Sequence, residues 1–319
     1  MFQRSLTRLA LLLAAALHSP AQDVISEMDV EEAVEISTLA EHSRQAAQAG
    51  NAEAQYELAR CYFTGTGVVK SIPMAMQWLK KAADQGLAAA QCHLAECYYN
   101  GTGCEKATTE ACRWWVKAAK QHHTDSMFRL GMAHLQGEGG VKSHVLGIAW
   151  LERTAAAGHA EAIFSLGFCR LQGIGGKQDF IEAARLFQRA SDMEQPTAEF
   201  WLGFCKLHGI GLERNSEEAL SLLERAADGL CAPAMVQLGH CYEYGNGVQA
   251  DAEKAFDWYW SGARQGNTEA CYRLGLMLLH GRGCKANREK AAKWLQQAAG
   301  NGHAAARTTW EEMQKGQPG

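Results

Sequence analysis

Residues 162–175, Ala-Ile-Phe-Ser-Leu-Gly-Phe-Cys-Arg-Leu-Gln-Gly-Ile-Gly, return at 198–211 as Ala-Glu-Phe-Trp-Leu-Gly-Phe-Cys-Lys-Leu-His-Gly-Ile-Gly. The step is 36 residues, and it holds along the chain without insertion at Leu58, Leu94, Leu130, Leu166, Leu202, Leu238 and Leu274. A small residue leads each unit (Ala54, Ala90, Ser126, Ala162, Ala198, Ala234, Ala270), and a Gly-x-Gly closes its first half, from Gly65/Gly67 to Gly281/Gly283. A fixed period of this length marks an array in which each unit buries its apolar face against its neighbours.

With the leading small residue as position 0, apolar side chains recur at 4, 7 and 8, the spacing of an amphipathic helix, here helix A. The first glycine ends it, because a left-handed cap tolerates no side chain well. Position 17 carries Ser71, Ser143, Asp179, Asn215, Asp251 and Asn287, residue types that start helices, with Ala107 the exception. Helix B follows, with alanine at position 21 and a large ring at 24: Trp78, Trp114, Trp150, Trp258 and Trp294. Ala82-Ala83 and its counterparts let the helices approach closely. The pattern predicts seven antiparallel helix pairs.

The motif Ala-x-x-x-Leu-Gly-x-x-Tyr-x-x-Gly-x-Gly-Val…Lys-Ala-x-x-Trp-x-x-x-Ala-Ala-x-x-Gly resembles the SEL1-like repeat, a relative of the tetratricopeptide repeat, over residues 54–303. The resemblance implies an all-α, right-handed superhelical solenoid that acts as a scaffold or adaptor for protein partners. Residues 22–53 then serve as an N-terminal capping helix, since Gln45-Ala46-Ala47…Gly50 matches the end of a helix B. Residues 304–319 start one more helix A, with Trp310 in the leucine position, and run out in a polar tail. Cysteine-rich members of the family staple helix B to the next helix A. Here the helix B partner positions hold Ala83, Ala119, Ala155, Ser191, Ala227, Ala263 and Ala299, so that framework does not carry over.

Residues 1–21 read as a targeting segment: Arg4 and Arg8 precede the apolar run Leu9–Leu17, and Ser19-Pro20-Ala21 offers small residues for cleavage. The run is too short to span a bilayer, so no stable membrane insertion is expected. Export to a periplasmic or extracellular compartment is expected. The arginines, with no acid before Asp23, keep a mitochondrial presequence as the alternative. A net charge of −4 without a basic stripe argues against nucleic acid as a partner.

Chemistry is sparse. Gly173-Ile174-Gly175-Gly176-Lys177 has the look of a phosphate loop, yet every repeat places these glycines at helix ends, so turn geometry accounts for them. His122, His123 and Asp125 lack a further ligand in the sequence, and no metal or cofactor is expected. No nucleophile or paired-carboxylate constellation stands out, and the chain reads as a non-enzyme. Of eleven cysteines, Cys61, Cys97, Cys169, Cys205 and Cys241 fall on the buried stripe as core filler. Cys104 and Cys112 form the one local pair whose placement suits closure.

A docking face is suggested where helix A presents positions 2, 6 and 9. In repeats three to five these are Phe128, Met132 and Leu135; Phe164, Phe168 and Leu171; and Phe200, Phe204 and Leu207. The three repeats also replace the tyrosine of position 8 with His134, Arg170 and Lys206. An apolar band edged by cations suits a protein or peptide with an apolar segment and acidic groups. Two readings stay beside it: the phenylalanines pack between repeats, and the cations snorkel to solvent or reach a carboxylate. An enzyme using the groove as its pocket, or a purely structural spacer, are the remaining functional alternatives.

Overall fold

The computed structural model describes residues 44–140 and 142–315. The targeting segment at 1–21 and most of the expected N-terminal cap lie outside the described residues. Fifteen α-helices follow one another, with one short 3-10 turn at Glu138–Gly140 and no strand among the described residues.

The chain divides into two compact units, one reaching Ala157 and the other starting at Gly158. The first unit holds α1 (Ala52–Thr64), α2 (Ile72–Asp84), α3 (Ala88–Asn100), α4 (Thr108–Ala119), α5 (Thr124–Gln136) and α6 (His144–Ala156). Helices α1/α2, α3/α4 and α5/α6 pack as pairs, and α2 and α4 each lean on the pair that follows. The second unit holds α7 (Ala160–Gln172), α8 (Phe180–Ser191), α9 (Pro196–His208), α10 (Ser216–Asp228), α11 (Ala232–Tyr244), α12 (Ala252–Arg264), α13 (Thr268–His280), α14 (Arg288–Gly300) and α15 (Ala304–Lys315). It is built alike, from four consecutive pairs, and α15 closes it against α14. Arg288 donates to the Met313 carbonyl at 2.7 Å and ties that last helix down.

Local chemistry explains each boundary. Every helix A ends on a left-handed glycine (Gly65, Gly101, Gly137, Gly173, Gly209, Gly245, Gly281) whose N–H returns to the carbonyl four residues back. Helix B starts where the sequence placed its caps: Ser71, Ser143, Asp179, Asn215, Asp251 and Asn287 all accept from the first-turn backbone, and Ala107 does not. The caps of helix A were not anticipated. Asn51, Gln195 and Asn267 serve there, and so do His123, His159 and His303 through Nδ1.

Within each pair, a small residue on helix A receives a large one from helix B. Gly167 faces Phe187, Gly203 faces Leu223, Gly239 faces Tyr259 and Gly275 faces Leu295, each too closely for a Cβ to fit without displacement. All seven leucines of the repeating column are buried. Between pairs, Gln91 Nε2 donates to the Ala83 carbonyl at 3.1 Å, and Gln55 Nε2 donates likewise to Ala47 at 2.9 Å. Residues 44–48 thus form a helical turn in the register of a helix B end.

The cysteine column behaves as core. Cys97, Cys169, Cys205 and Cys241 are buried and Cys61 is half-buried. All eleven cysteines are free thiols. The closure considered for Cys104 and Cys112 is not formed, because Cys104 Sγ turns to the Cys97 carbonyl and Cys112 Sγ to that of Glu138.

Candidate partner-binding surface

The aromatic band of the sequence falls on both units. On α5 of the first, Phe128, Met132 and Leu135 are half-buried, as is His134. Leu135 packs onto Gly147 of α6, where a Cβ would stand 2.7 Å from its Cδ2.

The larger share lies in the second unit. Phe164 and Phe168 of α7 and Phe200 and Phe204 of α9 are half-buried. Leu171 and Leu207 are not on that face, because at 7% and 2% exposure they belong to the core. Trp201 joins the rings: its centroid lies 5.5 Å from Phe168, 5.4 Å from Phe200, 5.8 Å from Phe204 and 6.0 Å from buried Phe187. The imidazole of His208 caps Phe204 at 4.4 Å. Such offset and edge-on pairs fix the rings relative to one another. Trp201 was missed by the sequence reading, although its column otherwise holds Glu57, His93, Arg129, Ser165, Gln237 and Arg273. That departure was the available signal.

The neighbouring cations have internal uses. Lys206, only 15% exposed, pairs with Glu218 at 2.8 Å, which is the carboxylate its buried stem requires. Arg170 is half-buried at the end of α7. His123, one of the residues weighed as a metal ligand, spends Nδ1 on the α5 cap, and His122 Nδ1 stands 3.3 Å from Arg153. Among the described residues no group of His, Cys, Asp or Glu is arranged to hold a metal ion, and no helix is long and apolar enough to cross a membrane.

A second cluster, unseen in the sequence, occupies α11 to α15. Glu243 stands where the other repeats place an apolar residue, and it accepts from the Tyr259 hydroxyl at 2.7 Å, with Arg282 at 3.5 Å. Arg273 donates to Glu269 at 2.7 Å and to the Tyr244 hydroxyl at 2.9 Å. His303 Nε2 lies 3.0 Å from the same Glu269. Burial alone would raise the Glu269 carboxyl, but the hydrogen bonds from Arg273 and His303 outweigh it and hold the group below the usual carboxylate range. The His240 ring sits 5.7 Å from Tyr259, and its buried Nε2 has no partner. Burial, reinforced by the Arg273 charge, depresses the His240 pKa, so the neutral imidazole is favoured. Every group in this network is matched within the unit apart from that nitrogen. It reads as a structural polar core, not as a reactive centre.

Similarity to known proteins agrees with the repeat geometry. The Sel1 repeat profile matches seven times, over residues 52–87, 88–123, 124–159, 160–194, 196–229, 232–267 and 268–303. A protective antigen of uropathogenic Escherichia coli strains, displaying an SLR fold, is 27% identical with a TM-score of 0.72, over 86% of this chain and 59% of its own. The chain thus spans under two thirds of that protein's length. A Sel1 repeat protein from Oxalobacter formigenes is 26% identical with the same TM-score of 0.72, over 92% of this chain and 83% of its own. Yeast Tom70, 14% identical over 91% of this chain and 61% of its own, shares the fold alone at a TM-score of 0.51. No curated protein matches the chain. With seven consecutive profile matches between residues 52 and 303, across helix pairs of one design, the chain belongs to the Sel1 repeat family.

Proposed function

We propose that this chain is a non-catalytic scaffold that holds a protein or peptide partner on the aromatic face of α7 and α9. The observation that carries the reading is Trp201: a large ring replaces the polar or small residues of its column and links Phe168, Phe200 and Phe204 into one half-exposed surface. Aromatic side chains give much contact area for little lost rotamer freedom, which suits them to anchor a partner. The Phe128 and Met132 side chains of α5 offer the first unit a smaller surface of the same kind. The partner we propose carries acidic groups with its apolar segment, in keeping with the basic residues Arg170 and Lys206 that the sequence sets beside these rings. Glu218 already answers the Lys206 charge, so the apolar contact carries most of the affinity. Export from the cytosol belongs to the same proposal and rests on the basic, apolar and small-residue order of residues 1–21.

The test compares the wild type with the Phe168→Ser/Phe204→Ser double variant in affinity capture from the native compartment, after circular dichroism and melting show that both fold. An identified protein held by the wild type and lost by the folded variant supports the site. Equal retention by both removes the α7–α9 face from the proposal. A collapse of the variant's melting temperature assigns the two rings to packing between repeats.

A further inference from the structure

In the first three repeats the tryptophan of helix B carries a cation from its own helix, three residues on. Lys81 Nζ lies 4.0 Å from the Trp78 ring, Lys117 Nζ 3.5 Å from Trp114 and the Arg153 guanidinium 5.7 Å from Trp150. The last two repeats keep the tryptophans, Trp258 and Trp294, but put Ser261 and Gln297 where the cation stood. The sixth also adds Trp260, at a position that elsewhere holds Lys80, Val116, Glu152, Gln188, Glu224 and Gln296. Trp260 is 38% exposed, stands 5.9 Å from Trp294 at 71°, and stacks on Phe256 at 6.3 Å. The two indoles form two walls of a corner open to solvent, backed by Phe256. Among the described residues no lysine or arginine lies over any of these three rings.

The uncovered indole faces, with two carboxylates beside them, leave a place for a positive group. Glu253 and Asp257 share the α12 face of Phe256 and Trp260 by their three- and four-residue spacing, and neither makes an ion pair. Of the nearby cations, Lys293 pairs with Glu289 at 2.8 Å and Lys254 covers Tyr242 at 5.3 Å, while Arg264 and Lys290, exposed and each four residues from Trp260 and Trp294, lie over neither ring. An indole face attracts an ammonium or guanidinium, and more strongly where a second ring and a carboxylate flank it. We propose that the Trp260–Trp294 corner on α12 and α14 is a second interaction site that takes a lysine side chain from a basic segment of a partner protein. The incoming ammonium occupies the place that Lys81 and Lys117 fill for the first repeats. This site is separate from the α7–α9 rings and does not depend on them.

The test uses the full chain and two probes, a tetralysine peptide and its Nε-acetylated form, titrated calorimetrically at fixed salt. Acetylation removes the charge and should abolish binding. Trp260→Ser should weaken tetralysine binding by about fivefold. Gln297→Lys keeps every ring but installs the protein's own cation three residues after Trp294, and should weaken binding by a similar factor. Gln296→Lys adds the same charge on another face and should change it less than about twofold. The proposal is overturned if the wild type shows no saturable binding up to millimolar peptide, or if the acetylated peptide binds equally. It is also overturned if Trp260→Ser binds as the wild type does, or if the two lysine variants lose affinity alike, which would mean charge repulsion alone.

Discussion

The Tyr259 hydroxyl donates to Glu243 Oε2 at 2.7 Å while its ring fills the notch left by Gly239 on the paired helix. The phenol thus meets two demands at once, solvating a carboxylate whose side chain is only 12% exposed and packing the centre of the α11–α12 pair. Tyr259→Phe keeps the packing and removes the donor, leaving Glu243 to Arg282 alone; the cost should be about 1–2 kcal/mol. Gly239→Ala does the reverse, since its Cβ collides with the ring, and should cost about 1–3 kcal/mol. Urea unfolding followed by circular dichroism measures both. An unchanged midpoint for Tyr259→Phe would mean that water serves Glu243 as well as the phenol does.

Acid should weaken the second unit first around His240. Its folded pKa lies below the ordinary histidine value, so between the two the unfolded chain binds a proton that the folded chain refuses. The stability it contributes is whole above about pH 6.5 and is lost as pH falls through and below that value. Glu269 adds a loss of the same sign lower down, because its folded carboxyl titrates below the usual range. His93 in the first unit is depressed by burial and acts in the same direction there. Hydrogen exchange of α11–α13 amides at pH 7 and pH 5 should show the loss of protection, and His240→Gln should flatten it. Equal pH dependence in that variant would move the effect to other groups.

The two glycines of the turn between α9 and α10 do different work, and one pair of substitutions separates them. Gly209 caps α9 at φ 69, with its nearest neighbour, Arg214 Cβ, at 3.6 Å from where a Cβ would stand. Gly209→Ala therefore pays for backbone conformation only, about 1 kcal/mol. Gly211 also has positive φ, 72, but a Cβ there would collide with the Phe180 backbone carbonyl of the preceding helix B, main chain that cannot turn aside. Gly211→Ala should cost more, by roughly 1–3 kcal/mol. Comparable melting of the two variants would show that the α8 start yields freely.

The first glycine was legible because a helix C-cap is a local signal, as were the Ser, Asp and Asn caps of helix B. The second was not, since its reason lies in the repeat before it, and periodicity reports that a residue recurs without saying what it touches. The imidazole caps escaped for another cause: His123, His159 and His303 are not residue types that announce a helix start. In the candidate site the phenylalanines were found through their columns, whereas Trp201 and Glu243 are single departures from columns. A search for what repeats passes over such residues. Leu171 and Leu207 went the other way, assigned to a face by spacing and drawn into the core by the neighbouring pair.

Thiol chemistry gives a last test, of how firmly the helix pairs stay closed. Burial pushes the thiols of Cys92, Cys205 and Cys241 up to about 11 and that of Cys97 to about 12. At pH 8 about one in a thousand or fewer of such groups is thiolate, the reactive form, and the surrounding side chains also block reagent. Cys104 and Cys284 sit in turns, half-buried, each thiol resting on a carbonyl seven residues back. A short iodoacetamide pulse on the native chain, read by mass spectrometry, should mark Cys104 and Cys284 well before Cys97, Cys205 or Cys241. Unfolding should expose all eleven. Burial of this kind shields core thiols of the folded chain from an oxidant as it does from the alkylating reagent. Labelling of Cys205 as fast as Cys284 would mean that the helix pairs open readily and that burial does not protect the core thiols.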